Sequence, residues 1–190
     1  MTIFRYLRSR RHAGRWLLGT AGVAALVACQ TPPSGREAWP LALAPQVDLP
    51  RFMGDWYVIG SIGTSFQRGA YNAKDTYKLD ADGTVDAVFT FRADGFTGPM
   101  REFHSRGYVL GRNNAVWGRQ YFWPIKADYR ISHVSPDYTQ TVITREKRDY
   151  LWIMARTPAI PEADYQKLVD IARKQGYDPG QIRRMPQSGS

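Results

Sequence analysis

The sequence predicts an all-β fold, an eight-stranded antiparallel up-and-down β-barrel followed by one α-helix, from three observations. Short segments of alternating apolar and polar residues follow one another from residue 56 onward. Short connections join them, which suits antiparallel neighbours in a sheet that closes and so loses its exposed edges. After Pro158 the apolar period changes from that of a strand to that of a helix. The predicted strands are 56–61, 73–79, 85–91, 101–110, 115–122, 128–134, 138–144 and 150–156.

Turn signals separate these segments. Residues 80–83 read Asp-Ala-Asp-Gly, which is typical of a hairpin turn. Residues 111–114 read Gly-Arg-Asn-Asn, and residues 135–137 read Ser-Pro-Asp. Each group combines residues that favour turns over regular strands. The alternating segments are therefore expected to be separate, neighbouring strands.

The helix is expected between Pro161 and Gly176. Proline suits the first turn of a helix, and acidic residues at 162 and 164 favour its positive end. Glycine at 176 is expected to end it. The apolar stripe of this helix fits packing on the outside of the barrel, and it consists of Tyr165, Leu168, Val169 and Ala172.

Length and charge predict a single domain that does not bind nucleic acid. The 190 residues are 43% hydrophobic and show no repeat or shift in composition that would require a second domain. The formal net charge is +9, but five arginines lie in the first 28 residues, which contain no acidic residue. The rest of the chain carries 21 basic and 17 acidic residues, with no basic run that could follow a phosphate backbone.

The N-terminal residues are typical of a targeting segment. Basic residues up to Arg15 precede a short apolar run, 16–27, which ends in small residues, so residues 1–28 are predicted to be a cleaved signal peptide. Cys29 is the only cysteine, which excludes an intrachain disulfide. Residues 30–47 contain four prolines and lack helical or strand periodicity, which predicts a tether.

Four stretches together carry a family resemblance. The first is 51–60, in which Gly54 precedes Trp56 by two residues and offers a tight bend. With 66–69, Asp137-Tyr138 and 149–158, in that order, it resembles the lipocalin family. The closest similarity is to the bacterial outer-membrane lipoprotein branch, which is also similar to apolipoprotein D. The resemblance spans roughly residues 49–187.

The resemblance extends to the end of the predicted signal peptide. Residues 26–29, Leu-Val-Ala-Cys, resemble a lipobox, which implies that Cys29 is acylated and becomes the first mature residue. Gln30 follows the cysteine where an aspartate would disfavour sorting to the outer membrane. The implied organisation is a signal peptide at 1–28, the lipidated cysteine and tether at 29–48, and a lipocalin domain at 49–190.

The family motif residues are expected to be structural. By resemblance, the Trp56 indole and the Arg156 guanidinium stack at the closed end of the barrel, a contact of roughly 1–2 kcal/mol when desolvated. Gly54, Asp137 and Tyr138 belong to the same end. None of them is assigned a catalytic role.

Ligand contacts are expected from the inward-facing residues near the open mouth. Alternation and the family pattern place several apolar and aromatic residues inward. Small inward residues, Ala87, Ser105 and Gly107, favour a real cavity, because a filled barrel would need their volume. The alternative, a core filled by its own side chains, is left open. The predicted ligand contacts are Phe89, Trp117, Arg119, Tyr121, Lys126, Tyr150, Trp152 and Met154.

Two charged residues interrupt the apolar inward pattern. Asp75 and Arg119 both fall in the inward phase, and buried charges are costly unless they are paired. Either the two residues pair inside the barrel, or Arg119 holds the carboxylate or phosphate of a ligand. Lys126 occupies a position at the mouth where relatives contact ligand, and it could neutralise an anionic head group. The alternative for Lys126 is an exposed loop lysine.

The resemblance implies a membrane-anchored protein of the outer membrane that stores or transports fatty acids or lysophospholipids. No metal, cofactor or enzymatic activity is expected, because His12, His104 and His133 lack metal-ligand spacing or a catalytic relay. Three alternatives remain: a lipocalin-fold enzyme acting on a lipid or isoprenoid, a structural envelope protein with a filled interior, and a pigment binder. A homodimer is left open.

Overall fold

The computed structural model describes residues 40–63 and 69–188. Its strands form a single antiparallel sheet that closes on itself. Strands β1 to β8 pair in chain order, and β1 pairs with both β2 and β8, so the sheet becomes a barrel. This confirms the predicted eight-stranded up-and-down architecture. The strands are β1 Gly54–Ile62, β2 Ala70–Leu79, β3 Val85–Ala93, β4 Met100–Val109, β5 Val116–Phe122, β6 Ile125–Val134, β7 Gln140–Thr144 and β8 Leu151–Ala155.

Three further elements complete the described chain. A short helix, α1, covers Leu49–Phe52, and a longer helix, α2, covers Glu162–Lys174. A two-residue strand, β9, covers Arg183–Arg184 and pairs with β1. No helix within 40–63 and 69–188 is both long enough and apolar enough to cross a bilayer. The predicted signal peptide, Cys29 and most of the tether lie outside the described residues.

Strand β1 closes the barrel by dividing its pairing between two neighbours. Its first half, from Gly54 to Tyr57, pairs with β2. Its second half, from Tyr57 to Ile62, pairs with β8, with an irregularity between Val58 and Gly60. Sharing one strand between both neighbours removes the two free edges that an open sheet would expose.

The two ends of the barrel differ. The β2–β3, β4–β5 and β6–β7 turns lie at one end, together with α1, and we call this the closed end. The β3–β4, β5–β6 and β7–β8 turns lie at the other end, which we call the mouth. Phe52 of α1 is fully buried, and its ring lies 5.0 Å from that of Trp56 and 5.6 Å from that of Trp117. Helix α1 therefore plugs the closed end.

Helix α2 packs on the outer face of the barrel, as its apolar stripe predicts. Tyr165, Leu168 and Ala172 are buried in a second apolar cluster, which includes Ile59 and Ile153 of the barrel wall. A Cβ atom at position 60 would lie 2.6 Å from the Tyr165 hydroxyl, so glycine permits this close approach. The helix begins directly after Pro161 and ends two residues before Gly176, whose φ is +88°.

The Arg156 guanidinium, at the end of β8, connects that strand to α1 and β1 at the closed end. The guanidinium carbon lies 3.9 Å from the centre of the Trp56 ring. Its nitrogens donate to the backbone oxygens of Arg51, Met53 and Asp55, each at 2.8 Å. These carbonyls lie at the end of α1 and the start of β1, so one side chain links the end of β8 to both elements. Trp56 adds a hydrogen bond of 2.8 Å from its indole nitrogen to the Phe52 carbonyl.

Asp137 and Tyr138 shape the β6–β7 turn at the same end. The Asp137 carboxylate accepts hydrogen bonds from Ser135 and Thr139, and these donors lower the pKa of Asp137 below its usual value. Tyr138 adopts a positive φ of 61°, and its hydroxyl accepts a hydrogen bond of 2.8 Å from the Asp48 backbone N–H. The turn is therefore tied to the segment that leads into α1.

We predict that Arg156→Lys lowers the free energy of unfolding by about 2 kcal/mol, because lysine loses the planar stack and most of the carbonyl contacts while keeping the charge. Chemical denaturation measures this change. The control is Arg173→Lys, which alters only an exposed ion pair with Asp170 on α2 and should cost less than about 0.5 kcal/mol. Equal stability of the two variants would contradict the role given to Arg156.

Candidate ligand-binding site

The half of the barrel interior next to the mouth contains a cavity of about 500 Å³. Ligand sites for small molecules commonly measure about 300–1,000 Å³. Most of the lining is aromatic or aliphatic, and the charged or ionisable groups lie at its floor and its opening. The lining residues are Phe89, Phe103, His104, Arg119, Tyr121, Phe122, Ala127, Asp128, Tyr129, Ile143, Arg145, Tyr150 and Trp152.

The lower half of the interior is filled by large rings. Trp117 lies 5.3 Å from the Tyr129 ring, in a stacked arrangement, and 5.7 Å from the Tyr77 ring. A Cβ atom at Gly107 would come within 3.4 Å of the Trp117 ring. Gly107 therefore lies in this filled part of the interior, against Val85 and Trp117, and does not line the cavity.

Asp75 and Arg119 form an ion pair at the floor of the cavity. Asp75 is fully buried, and Arg119 is 2% exposed. The Arg119 Nη1 atom lies 2.5 Å from the Asp75 carboxylate, and Nη2 lies 3.3 Å from its other oxygen. Ser105 accepts from Arg119 Nε at 3.0 Å and from Nη2 at 2.8 Å. The sequence left open whether Asp75 and Arg119 pair with each other or Arg119 holds a ligand. In the structure, they pair with each other.

Two tyrosines complete the polar floor. The Tyr77 hydroxyl donates to Asp75 at 2.7 Å and lies 2.6 Å from the Tyr129 hydroxyl. Burial raises the pKa of both tyrosines, and the neighbouring Asp75 carboxylate raises it further, so both remain neutral. Burial alone would lower the pKa of Arg119, but Asp75 holds it well above its usual value. The floor thus contains one positive and one negative charge, and its net charge is zero.

Aromatic rings form the wall above this floor. The rings of Phe89 and Trp152 stack with centres 5.1 Å apart, and Tyr150 meets Trp152 edge-on at 5.0 Å. Trp152 is 1% exposed, and its indole Nε1 has no hydrogen-bond partner among the described residues. A buried donor without a partner is costly. An oxygen atom of a bound molecule would relieve that cost.

Arg145 is the cation that lines the cavity at the mouth. It follows β7 directly, and its Nη1 atom lies 3.4 Å from the Asp149 carboxylate. Its Nε atom is buried without a hydrogen-bond partner in the described part of the chain. The sequence assigned a cationic role at the mouth to Lys126 and gave Arg145 none.

The structure places Lys126 on the outside of the barrel. Its ammonium lies 3.5 Å from the centre of the Tyr108 ring, and its methylenes pack over Gly118. Lys126 is opposite Gln120 in the β5–β6 ladder, so it shares the outward phase and not the phase of Arg119 and Ala127. It does not line the cavity.

Of the eight predicted contact residues, five line the cavity and three do not. Trp117 and Met154 point inward but lie closer to the closed end, where Met154 is opposite Val58 and fully buried. Lys126 is the third, for the reason given above. The five that line the cavity are Phe89, Arg119, Tyr121, Tyr150 and Trp152.

Continued alternation would have identified other lining residues that the sequence interpretation missed. Phe103 is two residues before Ser105 on β4, and Ala127 and Tyr129 alternate on β6. His104 pairs with exposed Glu102, yet it also borders the cavity opening. Its position at the opening results from the separation of β4 and β5 near the mouth.

Strands β4 and β5 separate near the mouth. Their pairing covers only Arg106–Val109 on β4, whereas β4 begins at Met100. The residues from Met100 to His104 are all exposed, although β3 still pairs with them. The cavity reaches this gap, since Phe103 and Phe122 line it from the two sides. The opening therefore has a lateral part in addition to the end of the barrel.

Within residues 40–63 and 69–188, no group of three or more His, Cys, Asp or Glu side chains is placed to bind a metal ion. His133 is half-buried, and burial lowers its pKa. These observations concern only the described part of the chain.

A closed eight-stranded barrel with an aromatic cavity open at one end defines the class of barrel proteins that bind small hydrophobic molecules. The model of the lipocalin-like domain family matches residues 47–187. The chain therefore belongs to this family, which confirms the resemblance carried by its motifs.

Named relatives agree with this family. The chain is 28% identical over 169 residues to the outer membrane lipoprotein Blc of Escherichia coli K12, covering 87% of this chain and 92% of Blc. Identity is also 28% over 158 residues to temperature-induced lipocalin-1 of Arabidopsis thaliana, covering 75% and 80% of the two chains. Bovine apolipoprotein D is 28% identical over 131 residues, covering 65% of this chain and 68% of its own.

Solved structures show the same fold at lower identity. The cockroach allergen Per a 4 superposes with a TM-score of 0.59 at 15% identity, covering 78% of this chain and 94% of the allergen. Lobster apocrustacyanin A1 gives a TM-score of 0.58 at 14% identity, covering 74% and 79% of the two chains.

We predict that Asp75→Leu and Arg119→Met each lower the free energy of unfolding by about 3–5 kcal/mol, because each leaves a buried charge without its partner. The double variant should recover at least about 2 kcal/mol of the summed loss, since no buried charge remains. Denaturant unfolding of the three variants gives the coupling energy. Losses that simply add in the double variant would show that the two side chains do not depend on each other.

Proposed function

We propose that this protein is a membrane-anchored carrier that stores or transports fatty acids or lysophospholipids in the bacterial cell envelope. The observation that supports this most directly is the cavity of about 500 Å³ with its aromatic wall. Proteins of the lipocalin-like family are generally binding and transport proteins. The relatives named outer membrane lipoprotein favour the envelope location.

The wall suits a long acyl chain. Each methylene removed from water contributes about 0.8 kcal/mol, so roughly a dozen would give a gross gain near 10 kcal/mol before the costs of association. The stacked rings of Phe89 and Trp152 offer a flat apolar surface against which such a chain can lie. A filled barrel, as the structural alternative requires, would lack this space.

The charges favour a ligand whose head group stays at the mouth. Arg119 is neutralised by Asp75, so the floor offers no net attraction to a carboxylate or phosphate. Arg145 lines the mouth, where its Nη1 pairs with half-exposed Asp149 and its Nε has no hydrogen-bond partner among the described residues. An anionic head group beside Arg145 would place the acyl chain between the mouth and the floor, against Trp152 and Phe89.

An enzymatic alternative would need a nucleophile or a general base in the cavity. Among the described residues, the one histidine that lines the cavity is His104, whose exposed ring pairs with Glu102. Its aspartate, Asp128, is held by Arg130 and by the backbone N–H of Glu146. Neither residue forms a relay with a buried nucleophile, so binding without turnover is the better-supported function.

Attachment to the outer membrane is the part of the proposal that depends on the N-terminal sequence. The lipobox-like residues 26–29 and the predicted tether supply it; residues 26–29 and the tether up to residue 39 lie outside the described residues. Two acyl chains on one residue hold a protein firmly at a membrane, whereas one chain binds marginally. The diacylglycerol implied at Cys29 would therefore suffice as an anchor.

We predict that the delipidated protein binds a fluorescent fatty-acid probe with a dissociation constant of about 1 μM or lower, and that palmitate displaces the probe. Trp152→Ala should weaken binding by about tenfold or more, because it removes a large part of the apolar wall. Fluorescence titration measures both affinities.

The matched control for this titration is Leu110→Ala, which removes an exposed apolar side chain at the closed end, away from the cavity. Its affinity should equal that of the unaltered protein. Trp152→Phe keeps an aromatic ring but removes the N–H, so it reports on the contribution of that donor. An unaltered protein that binds no probe, or a Trp152→Ala variant with unaltered affinity, would contradict the proposal.

A further inference from the structure

Exposed large apolar side chains concentrate at one end of the barrel. Among the described residues, seven of the eight such side chains lie at the mouth, and Leu110 alone lies at the closed end. Large exposed apolar patches mark sites that contact proteins or membranes. We call the seven residues the mouth rim: Phe96, Met100, Phe103, Tyr121, Phe122, Trp123 and Ile125.

The β5–β6 turn is the most exposed part of the mouth rim. Trp123 is 85% exposed, and its neighbours Phe122 and Ile125 are 65% and 58% exposed. The turn contains only Trp123 and Pro124, so the two strand ends hold these side chains at the end of the barrel. Tryptophan and tyrosine are enriched where proteins meet the interface of a bilayer.

The mouth rim is continuous with the cavity. Phe103, Tyr121 and Phe122 belong to the rim and also line the cavity. They flank the gap where β4 and β5 no longer pair. An apolar molecule leaving a surface in contact with the rim would therefore reach the cavity along apolar side chains, without crossing water.

The described chain begins beside the mouth. The backbone N–H of Ala42 donates to the Gln175 side chain at the end of α2, at 2.9 Å. The backbone oxygen of Gln175 accepts from Arg148, on the β7–β8 turn at the mouth, at 2.7 Å. Cys29 precedes Pro40 by about 11 residues, which span at most about 40 Å when extended. A lipid anchor at Cys29 would thus leave the mouth within reach of the membrane.

The charges around the mouth suit an anionic surface. The carboxylates of Glu146 and Asp149 pair with neighbouring arginines, and Glu102 is hydrogen-bonded to the His104 ring. Asp94 on the β3–β4 turn is exposed and forms no ion pair with another described residue. Exposed cationic groups that pair with no described carboxylate remain beside them, at Arg101 and Lys147, and the Lys126 ammonium lies nearby over the Tyr108 ring. Anionic lipids attract such residues within about a Debye length of the membrane surface.

We infer that the mouth rim is a docking surface for an anionic phospholipid bilayer, into which Trp123 and Ile125 insert so that ligand moves directly between the bilayer and the cavity. The inference rests on the proposed carrier function for its purpose, but the docking surface itself is independent of any ligand. The lipid anchor and tether would then keep the protein at the membrane surface. The mouth rim would turn the mouth of the barrel toward the lipids.

The test measures partition onto vesicles of phosphatidylethanolamine and phosphatidylglycerol, using a chain from Gln30 to Ser190, which lacks the acyl group and retains every described residue. The double variant Trp123→Ser/Ile125→Ser should partition at least about tenfold more weakly, because two inserting apolar side chains are lost. Neither residue lines the cavity, so binding of the fatty-acid probe in the absence of vesicles should be unaltered.

The matched control is Leu110→Ser, which removes from the closed end an apolar side chain about as exposed as that of Ile125 and should leave partition unaltered within about twofold. Brominated lipids should quench the tryptophan fluorescence of the unaltered chain and quench that of Trp123→Phe much less. Sedimentation of each chain without vesicles identifies self-association through the rim.

Each outcome separates the two proposals. Partition that is absent, or that the double variant and the Leu110 variant lose equally, overturns membrane docking, while probe binding still supports the carrier function. Loss of self-association in the double variant without vesicle partition overturns docking in favour of contact between two copies. Rim-dependent partition without probe binding supports docking and overturns the carrier.

Discussion

The buried ion pair between Asp75 and Arg119 divides the barrel interior, and the rest of the site depends on that division. Below it, Trp117, Tyr77 and Phe52 fill the space toward the closed end. Above it, the rings of Phe89 and Trp152 line a space that no side chain of the described residues fills. Because a buried charge requires a partner, the pair fixes β2 against β5 across the barrel, and it gives the cavity a polar floor without net charge.

Sequence predicts the fold well here because each strand carries its own signals. Alternation, short turns and a change of period after Pro158 identified all eight strands and α2, with boundaries within a few residues. The strand edges near the mouth were less predictable. Strand β6 begins at Ile125, three residues before the predicted start, because the turn at Trp123 and Pro124 is tighter than the sequence suggests. Short helix α1 follows an Asp48 cap and escaped notice, as one turn of helix has no periodicity.

The sequence predicted which residues of the candidate site face the barrel interior, but not how far each lies from the mouth. Alternation correctly placed Phe89, Tyr150 and Trp152 inward, but it cannot tell how far along the barrel axis each residue lies. Trp117 and Met154 therefore pointed inward as expected and yet lie below the cavity. Lys126 was misplaced because its role was taken from the family pattern and not from alternation. It is opposite Gln120 in the ladder, one residue from inward-facing Ala127, and therefore faces outward. Arg145 lies in a turn, where alternation carries no information.

The most direct measurement of the central claim is a crystal structure of the protein with a fatty acid that carries bromine at the end of its acyl chain. Anomalous scattering locates the bromine independently of any interpretation of the chain. The account predicts a bromine site in the cavity against the stacked rings of Phe89 and Trp152, above the Arg119 guanidinium, with the carboxylate near Arg145. A bromine site only on the outer surface, or a cavity closed by its own side chains, would contradict it.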